Sequence, residues 1–221
     1  MIKPSSVFLI AIGGGTGSGK TTIARGIAER YTSLGVAALN QDSYYFDRSH
    51  LSASEKEEIN FDDPRALDHD LICEHVQQLW RGEAIEKPRY SFATHTRTGE
   101  FDRVDPAPLV LLEGLFALWD PRVRALAGLR VFVDADADVR FIRRLRRDVG
   151  ERERTWQSVV TQYLATVRLM HHLHVEPTKA FADLVLDTTQ APLEDSLNRI
   201  DRALVEVSPR VRDMASRKGR R

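Results

Sequence analysis

A glycine-rich loop between an apolar segment and a helix-forming segment constrains the fold of this chain more than any other feature. Residues Val7–Ile12 form a continuous apolar run, which is typical of a parallel strand covered on both faces. The loop that follows, Gly14–Thr21, fits the pattern G-x-x-x-x-G-K-[ST] completely. Lys20–Arg30 then predicts a helix. A strand, such a loop and a helix in this order predict a nucleoside triphosphate site rather than a turn that only closes the strand–helix unit.

Each part of the loop has a chemical task in such a site. Glycines allow the backbone to wrap around phosphate oxygens with several N–H groups pointing inward. The helix N-terminus adds free donors and a favourable dipole. We expect Lys20 to reach the β- and γ-phosphates and the Thr21 hydroxyl to ligate Mg²⁺. The predicted phosphate-binding residues are Gly14, Gly15, Thr16, Gly17, Ser18, Gly19, Lys20 and Thr21.

The rest of the chain alternates strand and helix patterns, which predicts an α/β domain with a mostly parallel sheet. The predicted strands are Val36–Leu39, Leu109–Leu112, Leu129–Val133 and Leu184–Leu186. The predicted helices are Asp68–Trp80, Asp138–Val149, Trp156–Val175 and Leu193–Val207. The alternating side chains of Arg89–Val104, with Gly99 among them, predict an antiparallel hairpin instead.

Composition narrows the functional classes. A chain of 221 residues with 42% apolar residues is long and apolar enough for one globular domain. Its formal net charge is zero, from 32 basic and 32 acidic residues, which argues against a nucleic-acid or membrane-surface binder. The single cysteine, Cys73, excludes an internal disulfide and indicates a reducing compartment. We therefore expect a cytoplasmic protein without nucleic-acid or membrane partners.

Two acids follow predicted strands and face the same edge as the loop. Glu113 ends the strand at Leu109–Leu112, where open α/β sheets bind ligands; it either orients the metal or is a surface acid. Asp42 follows the strand at Val36–Leu39; it is either a general base for an attacking hydroxyl or a turn-forming residue. GTPases usually read guanine with Asn-Lys-x-Asp, and this chain contains no Asn-Lys pair.

An arginine-rich segment, Arg140–Arg154, contains seven arginines. Helical spacing puts Arg140, Arg144 and Arg147 on one side, and an apolar stripe of Val139, Ile142, Leu145 and Val149 on the other. Grouped arginines suit a phosphoryl group in transfer, whose charge is spread over several oxygens. The alternative is a solvated basic face in which Asp136 pairs with Arg140 and Asp148 with Arg152.

Taken together, these segments resemble the uridine kinase (uridine–cytidine kinase) family. The resemblance runs from Val7 to about Asp187 and favours the functional interpretations of Asp42 and the arginines. The matching segments are Gly13–Thr22, Gln41–Tyr45, Asn60–Pro64, Tyr90–Arg97, Leu112–Gly114, Phe132–Asp134, Arg143–Asp148, Thr161–Tyr163 and Glu176–Lys179.

The resemblance implies a phosphate-loop NTPase fold, with a five-stranded, mostly parallel sheet flanked by helices, a small β-hairpin insertion and an arginine-rich lid. It implies one kinase domain over residues 1–207, with the hairpin at about 89–104, the lid at about 147–156, and a basic tail at 208–221. The implied reaction moves the γ-phosphate of ATP or GTP, with Mg²⁺, to the 5′-hydroxyl of uridine or cytidine in pyrimidine salvage. Assembly as a homotetramer is a further family expectation.

The resemblance also implies roles for individual residues. Asp42 matches the general base, and Arg144, Arg147 and Arg152 match a lid that closes on the phosphates and excludes water. Asp62 matches a ribose-binding acid, and Arg154 and Gln162 match residues that grip the nucleoside. Aromatic faces suit base stacking and a histidine can bond a pyrimidine edge. The remaining residues implied at the substrate site or the loop are Tyr44, Phe61, Tyr90, Phe92, His95, Arg97 and Thr22.

Two positions depart from the family pattern. Glu153 stands between two lid arginines where glycine is usual. His171 and His174, with His172 between them, stand where we expect aromatic residues; we interpret the three as a helix-surface or interface cluster rather than a metal site. Rival hypotheses are a related kinase for another small alcohol, such as phosphoribulokinase or pantothenate kinase, and a regulatory ATPase that transfers phosphate only to water.

Overall fold

The computed structural model describes residues 7–57 and 59–208. Within these ranges five parallel strands form a sheet, namely β1 (Phe8–Gly14), β2 (Val36–Asn40), β5 (Leu109–Glu113), β6 (Leu129–Asp134) and β7 (Leu184–Asp187). Their order across the sheet is β2-β5-β1-β6-β7. A separate antiparallel hairpin consists of β3 (Ile85–Ser91) and β4 (Thr96–Val104). The predicted α/β class and five-stranded parallel sheet are confirmed.

Helices flank the sheet on both faces. They are α1 (Lys20–Arg30), α2 (Ala53–Glu57), α3 (His69–Arg81), α4 (Pro121–Leu126), α5 (Ala137–Gly150), α6 (Trp156–Gln162), α7 (Arg168–Met170) and α8 (Leu193–Val207). Two π-helical stretches, Tyr163–Val167 and His171–Val175, flank α7, so the predicted helix Trp156–Val175 is continuous but not regular. The 3₁₀ turns are Gln41–Tyr44, Pro64–Ala66 and Glu176–Phe181.

Strand β1 lies in the middle of the sheet and is buried on both faces. Leu9 and Ala11 belong to the core cluster on one face, while Ile10 and Ile12 belong to the cluster on the other. Alternate side chains of a strand point to opposite faces, so a strand with helices on both sides must be apolar throughout. Burial on both faces therefore explains the continuous apolar run, as its sequence suggested. Because β1 ends at the carboxyl edge of the sheet, the glycine-rich loop that follows it lies at that edge.

Helix α5 turns its polar side inward, contrary to the alternative of a solvated basic face, although the Asp148–Arg152 pair of that alternative is present at 3.7 Å. Arg140 and Arg144 are buried, whereas Ile142 and Val149 of the apolar stripe are 50% and 42% exposed. The Arg140 guanidinium donates to the Ala135 carbonyl and contacts His171 instead of pairing with Asp136. The proximity of the phosphate-binding loop explains the inversion, because the helix lines a site for anions rather than the apolar core.

Two other predictions differ from the structure, and a third lies mostly outside the described residues. The hairpin begins at Ile85, four residues before the predicted start. His171 is buried, so the three histidines do not form a surface cluster. Of the predicted basic tail, 208–221, all but Ser208 lies outside the described residues. Among the helices in the described ranges, none combines the length and apolarity needed to cross a membrane.

Candidate active site

The loop Gly14–Thr21 forms a cradle between β1 and α1. Gly17 has φ +73, and a Cβ there would lie 2.2 Å from the Arg140 carbonyl oxygen. Glycine is therefore required both by the left-handed backbone and by the close approach of α5. Lys20 Nζ donates to the Gly15 carbonyl at 2.8 Å. The open backbone, the buried lysine and the N-terminus of an eleven-residue helix fit the phosphates of a nucleotide.

Lys20, Thr21 and Glu113 meet where α1 begins and β5 ends. The Thr21 hydroxyl donates to Glu113 Oε1 at 3.2 Å. Burial raises the pKa of Glu113, although the charge of Lys20 counteracts it. Burial also lowers the pKa of Lys20 to about 8, against the opposing effect of Glu113 and Asp42. A hydroxyl beside a carboxylate is an oxygen donor set that fits Mg²⁺, which keeps its other positions for water and substrate phosphates.

Asp42 lies in the turn Gln41–Tyr44, directly after β2. The Asn40 side chain accepts a hydrogen bond from the Asp42 backbone N–H at 2.7 Å. Buried Gln41 accepts from the Phe116 backbone N–H at 2.8 Å and so anchors the turn to the loop after β5. Asp42 lines the same cavity as Lys20 and Glu113. The structure therefore brings the predicted base to the phosphate-binding residues.

The cavity has a volume of about 1160 Å³ and extends from the loop to an aromatic wall. There His95 stacks on Phe61, with ring centroids 4.5 Å apart and planes 19° apart. His95 also has φ +54, and its Nδ1 is buried without a hydrogen-bond partner among the described residues. Strained backbone and an unpaired buried polar atom are typical of functional positions. This end of the cavity therefore has aromatic side chains and, among them, a histidine with a ring nitrogen that is unpaired within the described ranges.

An acid, Asp62, and an amide, Gln162, lie between the loop and the aromatic wall. Asp62 is buried, and burial raises the pKa of its carboxyl although Arg144 opposes the shift. Gln162 Oε1 accepts hydrogen bonds from Arg144 at 2.8 Å and from Arg154 at 2.7 Å. Thr166, which the sequence did not single out, lies 3.5 Å from Asp62 through its hydroxyl. The predicted substrate residues Asp62, Arg154 and Gln162 line the cavity, and so does Arg144, which was predicted for the lid.

Three predicted substrate residues do not line the cavity. Tyr44 is fully buried, and its hydroxyl is 3.0 Å from His75 Nδ1. Its neighbour Tyr45, the first residue after the turn, lines the cavity instead. Tyr90 lies behind the wall, with its ring 5.3 Å from that of Tyr45. Arg97 donates to the Tyr45 carbonyl and to Asp68, so it fastens the hairpin to the turn.

Arg147 and Arg152, which were predicted for the lid, also line the cavity. The Arg152 guanidinium lies over the Phe92 ring at 4.8 Å, which connects the lid with the hairpin. Glu153 also lines the cavity and has φ +54. Of the loop residues, Thr16, Lys20 and Thr21 line the cavity, whereas Thr22 is exposed on α1.

Comparison with known proteins agrees with this geometry. The sequence profile of the Phosphoribulokinase / Uridine kinase family matches residues 9–193. The chain belongs to this family. The expected family resemblance is thus confirmed.

Individual relatives extend over most of the chain. A uridine kinase of Geobacillus sp. (strain WCH70) is 47% identical over 178 residues, which cover 80% of this chain and 84% of the relative. A uridine kinase of Brevibacillus brevis is 48% identical over 178 residues, covering 80% and 83%. The phosphoribulokinase structure from Rhodobacter spheroides has a TM-score of 0.61 at 14% identity, covering 82% of this chain and 70% of that one. At that identity the structure supports the shared fold alone.

Proposed function

We propose that this chain transfers the γ-phosphate of ATP or GTP to the 5′-hydroxyl of uridine or cytidine, and so produces UMP or CMP for pyrimidine salvage. The observation that carries the proposal is one cavity in which the phosphate-binding loop and Asp42 adjoin the wall of Phe61, Phe92 and His95. The uridine kinase relatives, at 46–48% identity, support the same conclusion.

The loop and its lysine bind the donor. Backbone N–H groups of Gly14–Thr22 and the Lys20 ammonium bind the phosphate oxygens and align the γ-phosphorus with the acceptor. Thr21 and Glu113 would hold Mg²⁺, which when bound neutralises charge on the phosphate oxygens. Arg144, Arg147 and Arg152 contribute positive charge where negative charge spreads in the transition state and exclude water that would compete as acceptor. We place the lid at residues 147–156.

Asp42 is the proposed general base. Its carboxylate accepts the proton of the 5′-hydroxyl while the hydroxyl oxygen forms a bond to the γ-phosphorus and the bond to the β-bridging oxygen breaks. The products are the nucleoside monophosphate and the diphosphate of the donor. A positioned base of this kind contributes typically ~10²–10⁴ in rate.

The nucleoside is held by groups on three segments. Asp62 accepts from ribose hydroxyls, with Arg154 and Gln162 on the opposite side. Phe61 and Phe92 contact the faces of the base, and His95 bonds its polar edge. Tyr90 and Arg97 support this wall from behind rather than by direct contact, and Tyr44 is buried against His75.

An assay of nucleoside-dependent ADP release over a panel of nucleosides and other small alcohols tests the proposal. We expect turnover with uridine or cytidine and little with ribulose 5-phosphate or pantothenate. Turnover of another alcohol with neither pyrimidine nucleoside would overturn the proposal in favour of a related kinase. Triphosphate hydrolysis that no acceptor changes would instead indicate a regulatory ATPase.

Three further properties follow from the family and belong to the same proposal. We expect a cytoplasmic enzyme that functions as a homotetramer and requires Mg²⁺. Light scattering on the purified chain tests the assembly, and removal of Mg²⁺ with a chelator should abolish transfer. We also treat residues 1–207 as a single kinase domain.

A further inference from the structure

Asp148, in the last turn of α5, is the centre of an arginine cluster beside the cavity. The side chain of Asp148 is 0% exposed. Four guanidiniums surround it, and this arginine cluster consists of Arg144, Arg147, Arg152 and Arg154. All four arginines line the cavity, whereas Asp148 does not. The acid therefore touches the groups that meet substrate without meeting substrate itself.

The two carboxylate oxygens of Asp148 hold the cluster in different ways. Oδ1 accepts two hydrogen bonds from Arg147, at 2.9 and 2.8 Å, and lies 3.7 Å from Arg152. Oδ2 lies 3.5 Å from both Arg144 and Arg154 and has no hydrogen-bond partner among the described residues. Arg144 and Arg154 are thus attracted by charge but keep their donors for other acceptors. Such donors can turn to a phosphate oxygen without breaking a hydrogen bond to Asp148.

The cluster carries more positive charge than Asp148 can neutralise. Arginine stays protonated in proteins, so one carboxylate faces four cations. Burial lowers the pKa of both Arg144 and Arg152, which indicates that this charge is costly in the absence of a further anion. Asp62 and Asp42 lie within electrostatic range of Arg144 and Arg152 respectively, but both acids belong to the substrate side. The unbalanced charge fits the phosphates of a bound nucleotide.

Asp148 also connects the two sides of the cavity mechanically. Its backbone carbonyl accepts from the Arg154 backbone N–H at 3.1 Å and so fixes the segment that follows α5. Arg144 reaches the loop through the Thr16 hydroxyl at 3.3 Å and shares Gln162 with Arg154. A displacement of this acid would therefore move the donor-side and acceptor-side arginines together.

We propose that Asp148 is a positioning residue for phosphoryl transfer, whose buried carboxylate gathers the four arginines beside the cavity before the triphosphate binds. Without it the four cations repel one another and must be ordered by the phosphates themselves. This inference rests on the proposed kinase function. It extends that function because Asp148 acts through the arginines and not on the substrate.

The variant Asp148→Asn tests the role, because it removes the charge while keeping the shape. We expect kcat to fall about tenfold or more, since poorly positioned arginines stabilise the transition state less. The Kd for ATP should stay within about threefold of the unchanged protein, because the phosphate-binding loop is intact and the loss of a carboxylate that repels phosphate offsets the cost of ordering the arginines. The share of ATP hydrolysed without transfer should rise. A kcat within threefold of the unchanged protein, or an ATP affinity lost in proportion to kcat, would overturn the proposal.

Two further variants keep the test decisive. Asp138→Asn removes an acid from the exposed first turn of the same helix and should leave kcat, Kd and hydrolysis unchanged. Asp148→Glu keeps the charge but displaces it by one methylene, so it should retain more kcat than Asp148→Asn and still show increased hydrolysis. An equal loss of kcat in both Asp148 variants would refute a role of the charge. If Asp148→Asn does not fold, unchanged partition between transfer and hydrolysis in Asp148→Glu would refute the positioning role.

The outcome is separable from that of the proposed function. ATP binding and hydrolysis are measured without any nucleoside, so both report on Asp148 whichever alcohol is the acceptor. Failure of the unchanged protein to phosphorylate uridine or cytidine refutes the assigned substrate, while a normal Asp148→Asn variant refutes only the positioning role.

Discussion

The donor end and the acceptor end of the cavity are built in opposite ways. At the donor end, eight consecutive residues, Gly14–Thr21, form the proposed phosphate site, which would bind through backbone N–H groups, one lysine and one hydroxyl. At the acceptor end, Asp42, Asp62, His95 and Gln162 come from separate segments, more than 100 residues apart at the extremes. The first site therefore depends on local backbone conformation. The second depends on the packing of a turn, a loop, a hairpin and the helical segment after the lid.

The difference implies that variants at the two ends should fail differently. A change at the acceptor end should remove transfer and leave the donor bound, because the loop does not depend on it. A change in the loop should weaken donor binding itself. The following predictions test that separation.

The largest effect is expected for Asp42→Asn, at the acceptor end. Loss of the base should lower kcat by ~10² or more while the Kd for ATP is unchanged. Steady-state kinetics and ATP titration measure the two quantities. Asp70→Asn, which removes an acid whose side chain is 89% exposed on α3, is the matched control and should behave like the unchanged protein. If Asp42→Asn loses ATP affinity as strongly as rate, the two ends are not separable.

At the donor end, Gly17→Ala should weaken ATP binding at least about tenfold. The added Cβ would need to occupy a point 2.2 Å from the Arg140 carbonyl oxygen, so the loop must shift. Even 1.4 kcal/mol of such strain corresponds to a factor of ten in affinity. The shift in melting temperature caused by ATP measures the loss.

Gly99→Ala is a control with matched backbone strain. Gly99 has φ +78, but a Cβ there would meet no atom within 4 Å. This variant should lose stability and keep its ATP affinity. Normal ATP binding by Gly17→Ala would contradict the cradle described above.

The affinity for ATP should fall as pH rises above about 8. Burial lowers the pKa of Lys20 to about 8 in the free protein, so this lysine loses its proton above that pH. Bound phosphates favour the charged form, so binding at higher pH must take up a proton, and affinity can fall by up to about tenfold per pH unit. Calorimetric titration of ATP between pH 7 and 9.5 measures both the affinity and the proton uptake. We expect Lys20→Met to bind ATP weakly and without this dependence on pH. If the ATP affinity of that variant falls with pH as steeply as that of the unchanged protein, Lys20 is not the group responsible.

The smallest effect is expected in the lid, for Glu153→Gly. Glu153 has φ +54, a left-handed conformation that costs a non-glycine residue roughly 1–2 kcal/mol. Glycine removes this strain but increases the entropy of the unfolded chain, so we expect a net gain of about 0.5–1 kcal/mol in the free energy of unfolding. Urea denaturation measures the change.

Glu151→Gly is the matched control, two residues earlier. Glu151 has φ −113, which any residue adopts, so glycine there should lower stability by about 0.5–1 kcal/mol. Equal changes in the two variants would show that Glu153 is not strained.

The elements predicted from the sequence were those with a strong local signal. Helices α1 and α8 begin and end at the predicted residues, Lys20–Arg30 and Leu193–Val207. The short helices Ala53–Glu57 and Pro121–Leu126 were not predicted. They are too short to display the periodicity on which such predictions depend.

Among site residues, the hardest prediction was which of two adjacent residues lines the cavity. The motif Gln41–Tyr45 was expected to place Tyr44 at the substrate, but Tyr45 lines the cavity and Tyr44 is buried against His75. In a 3₁₀ turn neighbouring side chains diverge, and the pattern of residue types does not show which one faces the ligand. Arg97 likewise looked like a substrate contact, and its partners, the Tyr45 carbonyl and Asp68, became evident only from the packing of the hairpin.

The sequence by itself determined the parallel α/β sheet, the nucleotide loop and the family. The sheet and the loop depend on local periodicities and contiguous residues, and the family depends on short motifs in a fixed order along the chain. Only the tertiary structure decided that α5 turns Arg140 and Arg144 inward and that Asp148 joins four arginines in one cluster. The physical reason is that amphipathicity predicts which residues share a face of a helix, whereas the surrounding charge decides which face is buried. Beside a loop built for phosphate, the basic face is the one that the fold encloses.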